Sequence, residues 1–290
     1  MASAGVLFII LSVTCSLLLA HFLKLAETRK YATINVITVN YLIAVIAAAG
    51  MNVFKGISVI PGFPLWFWGF VVFVGILFIS NFFLLSKSVD QNGVGVSLAA
   101  MRVSLLIPIL LSILFYGEIL TFQRFFGIAL VFAAMIILVF ARRGIKQIHV
   151  NSHWLLIGIF MFTGIADASL KIYDEEMRFE ASEAHFLSAV FLVSLLISAS
   201  VALKRGRLQK MKRGEFGLGI MVGIPNLLSS IFLIWAFDHF DASVVYSVVN
   251  MMVIAGGAIT GLIIWKDKMN NGEWSGVFIA ILAILLLTTS

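Results

Sequence analysis

The chain has 290 residues, 61% of them hydrophobic and 12% charged, whereas soluble domains carry about 25% charge. With a mean hydropathy of +1.09, this excludes an ordinary soluble enzyme. At about 20 apolar residues per helical crossing there is room for about ten crossings and little else. Twenty Lys and Arg against fourteen Asp and Glu give a net charge of +6, and the placement of that charge says more than its total. Cys15 is the single cysteine, so an intramolecular disulfide and a cysteine-based metal cluster are both excluded.

Charged and turn-rich breaks leave ten apolar segments, at 3–23, 32–53, 65–86, 93–116, 121–140, 153–173, 184–203, 216–237, 243–265 and 274–289. The first is long enough to span and no Lys or Arg precedes it, so it reads as a membrane helix rather than a signal peptide. Barrel strands would be about half as long and would alternate polar with apolar residues. The predicted fold is therefore all-α and integral to the membrane, with ten transmembrane helices and polar connections at the interfaces. The tryptophans Trp66, Trp68, Trp154, Trp235, Trp265 and Trp274 lie near segment ends, as an interfacial aromatic belt requires.

Alternate loops differ sharply in basic residues. One side holds fifteen: Lys24, Arg29, Lys30, Lys87, Arg142, Arg143, Lys146, Lys204, Arg205, Arg207, Lys210, Lys212, Arg213, Lys266 and Lys268. The other holds Lys55 and Arg178, with the acids Asp174, Glu175, Glu176, Glu180 and Glu183. The positive-inside rule places the fifteen in the cytoplasm and both termini outside. The cluster at 204–213 is then an anchor at an anionic leaflet rather than a nucleic-acid site.

Sliding the second half onto the first by 149 residues carries Val94 onto Ser243 and Gly127 onto Gly276 without a gap. Each half, 1–145 and 150–290, holds five segments. Five is odd, so the second half enters the membrane from the opposite face and the repeats are inverted. Two such bundles, rocked about an axis in the membrane plane, open a midplane cavity to alternate sides.

The fourth and fifth segments read Pro108, then Gly117-Glu118-Ile119-Leu120-Thr121-Phe122-Gln123, then Gly127. This resembles the proline, Gly-Glu turn and glycine of EamA-like permeases in the drug/metabolite transporter superfamily. The five-plus-five organisation of that family matches over the whole chain. The second copy departs from the pattern, with Lys266-Asp267 in place of a second Gly-Glu, and the first segment lacks the Trp-Gly usual in such permeases. The resemblance implies a permease, export rather than uptake, and cytoplasmic termini, opposite to the loop charges.

Ionisable groups within hydrocarbon are the sharpest functional signal, at about 2.5–3.5 kcal/mol for Arg, Lys or Asp at a helix centre. Arg102, Asp167 and Lys171 lie well inside. Arg102 is about 14 Å, and Asp167 about 21 Å, from the cytoplasmic face at 1.5 Å per residue. Arg102 is expected to offer a cation to a substrate carboxylate or phosphate, with Asp167 holding it ready or relaying a coupling proton. The alternative is structural: Asp167 neutralises Lys171, four residues on, or Arg102.

Ser97, Tyr246, Asn250 and Asn226 complete the expected substrate contacts, with Asn35, Asn40 and Asn81 as further polar candidates. Ser97 and Tyr246 are equivalent at the 149-residue offset, and Asn250 falls opposite Met101, next to Arg102. Pro108 and Pro225 are hinge candidates. The GxxxG runs at 219–223 and 257–261 read as packing, and Glu118 as a water-reaching loop or gating residue. His149 and His153 have metal-ligand spacing but no evident third ligand.

These features point to a secondary active transporter of the plasma or inner membrane. It would move a small polar or amphipathic metabolite by alternating access, as a monomer or homodimer, with no cofactor, metal, nucleic acid or enzymatic activity implied. An intramembrane enzyme acting on a lipid-linked substrate is the alternative, and it would need a nucleophile or metal cluster open to the bilayer.

Overall fold

A computed structural model describes residues 2–56, 63–92, 94–141, 152–264 and 270–288. These form α1 (Ala2–Thr28), α2 (Thr33–Phe54), α3 (Leu65–Asn92), α4 (Val94–Val103), α5 (Leu106–Phe115), α6 (Phe122–Ala141), α7 (His153–Glu176), α8 (Glu183–Lys204), α9 (Arg213–Phe237), α10 (Ala242–Ile264) and α11 (Asn271–Thr288). A short 3-10 turn, Leu208–Lys210, precedes α9, and no strand occurs among the described residues. Arg142, Arg143, Lys146, His149, Trp265, Lys266, Asp267 and Lys268 lie outside them.

Among the described residues seven helices are long and apolar enough to cross a bilayer, and 99–115, 122–138 and 274–287 are shorter apolar helical stretches. Large apolar side chains such as Leu114, Phe122, Leu196, Ile263 and Phe278 remain exposed along them. In water such a surface would be an aggregation liability; in lipid it is the expected exterior of a membrane protein.

Two differences from the sequence expectation bear on the site. The fourth segment, expected as one helix over 93–116, is two helices interrupted at Ser104 and Leu105. Pro108 has no N–H for the Ser104 carbonyl and its ring crowds that oxygen. The Ile107 amide donates to it instead, at 2.9 Å, in a tighter turn, and Ser104 Oγ donates to the Met101 carbonyl at 2.6 Å. The third segment does not stop at 86: α3 runs on through Lys87 to Asn92. Its added turns are tied down, with Ser88 Oγ 2.7 Å from Ser97 Oγ and Asn92 exchanging two hydrogen bonds with the Ser152 backbone. Charge marked where the apolar run ended, while hydrogen bonding decides where the helix ends.

The chain divides into two compact units, Met1–Val13 with Ser80–Lys171 and Ala236–Ser290, and Thr14–Ile79 with Ile172–Trp235. Each unit draws on both the 1–145 and 150–290 halves. In the first unit α6 packs along α11. A Cβ at Gly127 would lie 2.7 Å from Leu287 Cγ, and one at Gly276 would lie 2.6 Å from Leu138 Cγ, so both glycines are needed for the close approach.

In the second unit α2 packs along α8, α3 meets α8 at Gly75, where a Cβ would be 2.9 Å from the Val190 carbonyl, and α9 meets α2 at Gly223, 2.7 Å from the Asn40 carbonyl. Gly219 likewise sits against Val39 and Val36, so the 219–223 run is a packing surface. Gly257, in the second run, has open space around it. Tyr173 stacks on Phe186 with ring centroids 4.2 Å apart, and its hydroxyl donates to the Ala181 carbonyl at 2.6 Å, anchoring the turn into α8.

Candidate functional site

One hydrogen-bonded chain of the first unit starts at the break in the fourth segment. Ending α4 at Val103 puts Arg102 in its last turn, where the partial negative charge of the helix C-terminus favours a cation. An uninterrupted helix would offer no such terminus at this depth. Arg102 Nη1 donates to Asn250 Oδ1 at 2.9 Å, and Asn250 Nδ2 donates to the Tyr246 carbonyl at 3.1 Å, one turn back on α10. Tyr246 Oη in turn donates to the Asp167 backbone carbonyl at 2.6 Å. Arg102 and Asp167 are both half-buried, and the hydrogen-bonded chain from Arg102 through Asn250 and Tyr246 joins α4 to α7 at the Asp167 backbone.

Helix α7 reaches this position because residue 164 is a glycine. A Cβ there would lie 2.7 Å from the Ser104 carbonyl oxygen, inside the break itself. Gly164→Ala should therefore overpack the crossing against backbone, which cannot rotate away, at a cost of about 1–3 kcal/mol. A lower thermal midpoint of the purified protein checks this; an unchanged midpoint would mean that α7 is not seated on the break.

Beside Arg102 a cavity of about 410 Å³ opens between α4, α6 and α7, walled by Val96, Ala99, Ala100, Val103, Phe132, Met135, Ile136, Leu156, Ile157 and Phe160. Small-molecule pockets span roughly 300–1,000 Å³ and are mostly apolar. Ile136 and Ile157 on this wall are also exposed at the surface, so the cavity opens sideways along the apolar exterior of the unit.

Farther along α7, Lys171 is buried, with Nζ 3.9 Å from Glu118 Oε1 and 5.7 and 5.5 Å from the ring centroids of Tyr116 and Phe237. Glu118 was expected to reach water. Instead its side chain is 7% exposed, and its two oxygens accept from the Ala242 amide at 2.7 Å and the Ser243 amide at 2.9 Å, capping α10. Gly117, at φ +67°, makes this possible: the left-handed residue closes α5 and lets the Glu118 amide reach back to the Ser112 carbonyl at 3.3 Å. Arg124 reinforces the same junction, pairing with Asp241 and donating to the Ile119 carbonyl at 3.0 Å.

No protein-family model matches the chain. A protein of Haemophilus influenzae, described as uncharacterized, is 26% identical over 293 aligned positions that cover 96% of each chain. Among solved structures, one crystal structure superposes with a TM-score of 0.77 at 12% identity, covering 99% of this chain and 97% of the other. The fold is therefore one already seen experimentally; its likeness carries the architecture and nothing of the chemistry.

Of the residues expected at the site, Arg102, Asp167, Tyr246 and Asn250 come together in this unit. Ser97 is buried and bonded to Ser88 instead. Asn226 belongs to the second unit, where its Nδ2 donates to Asn40 Oδ1 at 3.1 Å. Pro108 lies at the break, whereas α9 runs through Pro225 as one helix. Asn81 Oδ1 accepts from Thr163 Oγ1 at 2.8 Å, joining α3 to α7. No group of three or more metal-ligating side chains comes together among the described residues. Gly164, Arg124 and Asp241 were not singled out in the sequence. The first has no local signature, because only its approach to Ser104 requires a glycine.

Proposed function

We propose that the protein is a secondary active transporter of the inner membrane, an EamA-like permease that carries a small amphipathic metabolite by alternating access. The observation that carries this reading is the hydrogen-bonded chain from Arg102 through Asn250 and Tyr246 to the Asp167 backbone at an interrupted membrane helix, beside an apolar cavity. Broken helices at membrane depth are where transporters place their ligands, because backbone freed from the helix is tolerated only where it is buried in protein or lines a cavity. An apolar body would occupy the cavity, and Arg102 would have to turn from Asn250 to meet a carboxylate or phosphate there. Asp167 is the group to couple a proton.

Ten crossings in two inverted halves are part of the proposal, and the glycine contacts support them. Gly127 meets Leu287 and Gly276 meets Leu138, and the separations 276 − 127 and 287 − 138 are both 149. Each contact is thus the other with the two halves exchanged, as an axis relating inverted repeats requires. The loop charges orient the assembly with its termini outside.

Counterflow into liposomes tests this directly. Purified protein should exchange at least one labelled amino acid, amine or sugar phosphate saturably, faster with an imposed pH gradient. No saturable exchange across that panel would remove the transport reading. A cysteine introduced at residue 290 in a Cys15→Ser background should label from outside intact cells; labelling only after permeabilisation would reverse the orientation.

A further inference from the structure

We propose that one end of the second unit, carrying Arg29, Lys30 and the basic 204–213 loop, is a built binding site for the phosphate headgroup of an anionic phospholipid. It rests on the membrane embedding alone and not on transport, so failure of the counterflow assay leaves it standing.

The cations are held on a fixed scaffold. Glu215 is buried, and Oε1 accepts from the Ala32 amide at 2.9 Å while Oε2 accepts from Asn35 Nδ2 at 2.8 Å and the Lys212 amide at 3.0 Å. Asn35 Nδ2 also donates to the Arg207 carbonyl at 3.0 Å. One carboxylate and one amide thus join the start of α2, the loop after α8 and the start of α9. The loop backbone is closed on itself, with the Arg207 amide on the Ala202 carbonyl and the Lys210 amide on the Arg207 carbonyl. Gly214 packs against the Tyr31 ring, which brings the Arg29–Lys30 turn alongside. From this frame Arg29, Lys30, Lys204, Arg205, Arg207, Lys210, Lys212 and Arg213 are all exposed.

Lys30 supplies the second observation. It closes α1 with φ +53°, the one non-glycine residue with positive φ among those described, whereas the comparable turns after α2 and α8 use Gly56 at +67° and Gly206 at +60°. A left-handed backbone is unstrained for glycine and costly for lysine. Lysine at this position carries backbone strain that a glycine would relieve.

Charge complementarity selects the ligand. The carboxylates at this end are Glu215, whose oxygens are both engaged, and the exposed Glu27 on the last turn of α1, so cations remain in wide excess. Asp174, Glu183 and their partner Arg178 belong to the opposite end of the unit, where Ser182 reaches Asn52 near the far terminus of α2. Exposed Leu203 and Phe216 flank the basic loop on helices that enter the bilayer, which sets the cations at headgroup depth, where anionic lipid is concentrated.

The test uses the purified full-length protein in micelles supplemented with phosphatidylglycerol or phosphatidylcholine, read by lipid retention in native mass spectrometry and by thermal midpoint. Phosphatidylglycerol should be retained and should raise the midpoint; phosphatidylcholine should do neither. Lys30→Gly should lower phosphatidylglycerol retention several-fold while raising the midpoint in phosphatidylcholine, because the strain is relieved. A Lys210→Gln, Arg213→Gln double variant should lower retention with no such gain, and Lys55→Gln should leave it unchanged. Equal retention by wild type and both basic-loop variants would overturn the site. So would a midpoint shift reproduced by millimolar inorganic phosphate, which would assign it to a soluble anion.

Discussion

Arg102→Gln should cut saturable counterflow by about tenfold or more. A charge-assisted hydrogen bond to the substrate is worth about 1.5–3 kcal/mol, a loss of about 10- to 150-fold in affinity or rate, and the substitution also frees Asn250 from its guanidinium donor. The same change breaks the hydrogen-bonded chain that runs from α4 to the Asp167 backbone. Losing a hydrogen bond made by a charged group costs about 1.5–3 kcal/mol, and half-burial of Arg102 puts the expected stability cost at the lower part of that range. The discriminating variant is therefore Arg102→Gln with Asp167→Asn. The neutral pair should recover thermal stability without recovering flux. If flux instead follows stability through the single and double variants, the pair is structural; if Arg102→Gln transports normally, the site lies elsewhere.

Glu118→Ala should give the largest loss of stability. Three groups depend on this carboxylate: the Ala242 and Ser243 amides and the buried Lys171 ammonium. Loss of a helix cap costs about 0.5–2 kcal/mol, and removing a carboxylate beside the buried Lys171 ammonium adds to this, since breaking a buried pair outright costs about 3–5 kcal/mol. Thermal unfolding of the purified protein measures it. Glu118→Gln with Lys171→Met should restore part of the midpoint, since one amide oxygen still caps α10 and no charge is stranded. A midpoint unmoved by Glu118→Ala would show that the α5–α10 junction is not held through this residue.

The sequence exposed what depends on composition and period. Apolar runs marked the helices because lipid requires continuous apolar faces, and intramembrane charge marked Arg102, Asp167 and Lys171 because such residues are costly there. It was silent on pairing. Pro108 and Pro225 look alike in the sequence, yet one lies at a break and the other inside an unbroken helix. The difference lies in the surroundings of Pro108, where Ser104 satisfies a freed carbonyl and Gly164 lets α7 close on the gap. Glu118 carried a resemblance but not its role, since nothing near it in the chain shows that its oxygens serve amides 124 and 125 residues later. Glu215 gave no signal either, because its partners at Ala32 and Asn35 are distant in the chain.

The two glycine–leucine seams between α6 and α11 act together as a pin. They sit at Gly127 with Leu287 and at Leu138 with Gly276, eleven residues apart on each helix. An axial slip by a single residue, about 1.5 Å, would drive a leucine out of its notch at both places at once. The two helices are thereby keyed to turn or tilt together as one rod.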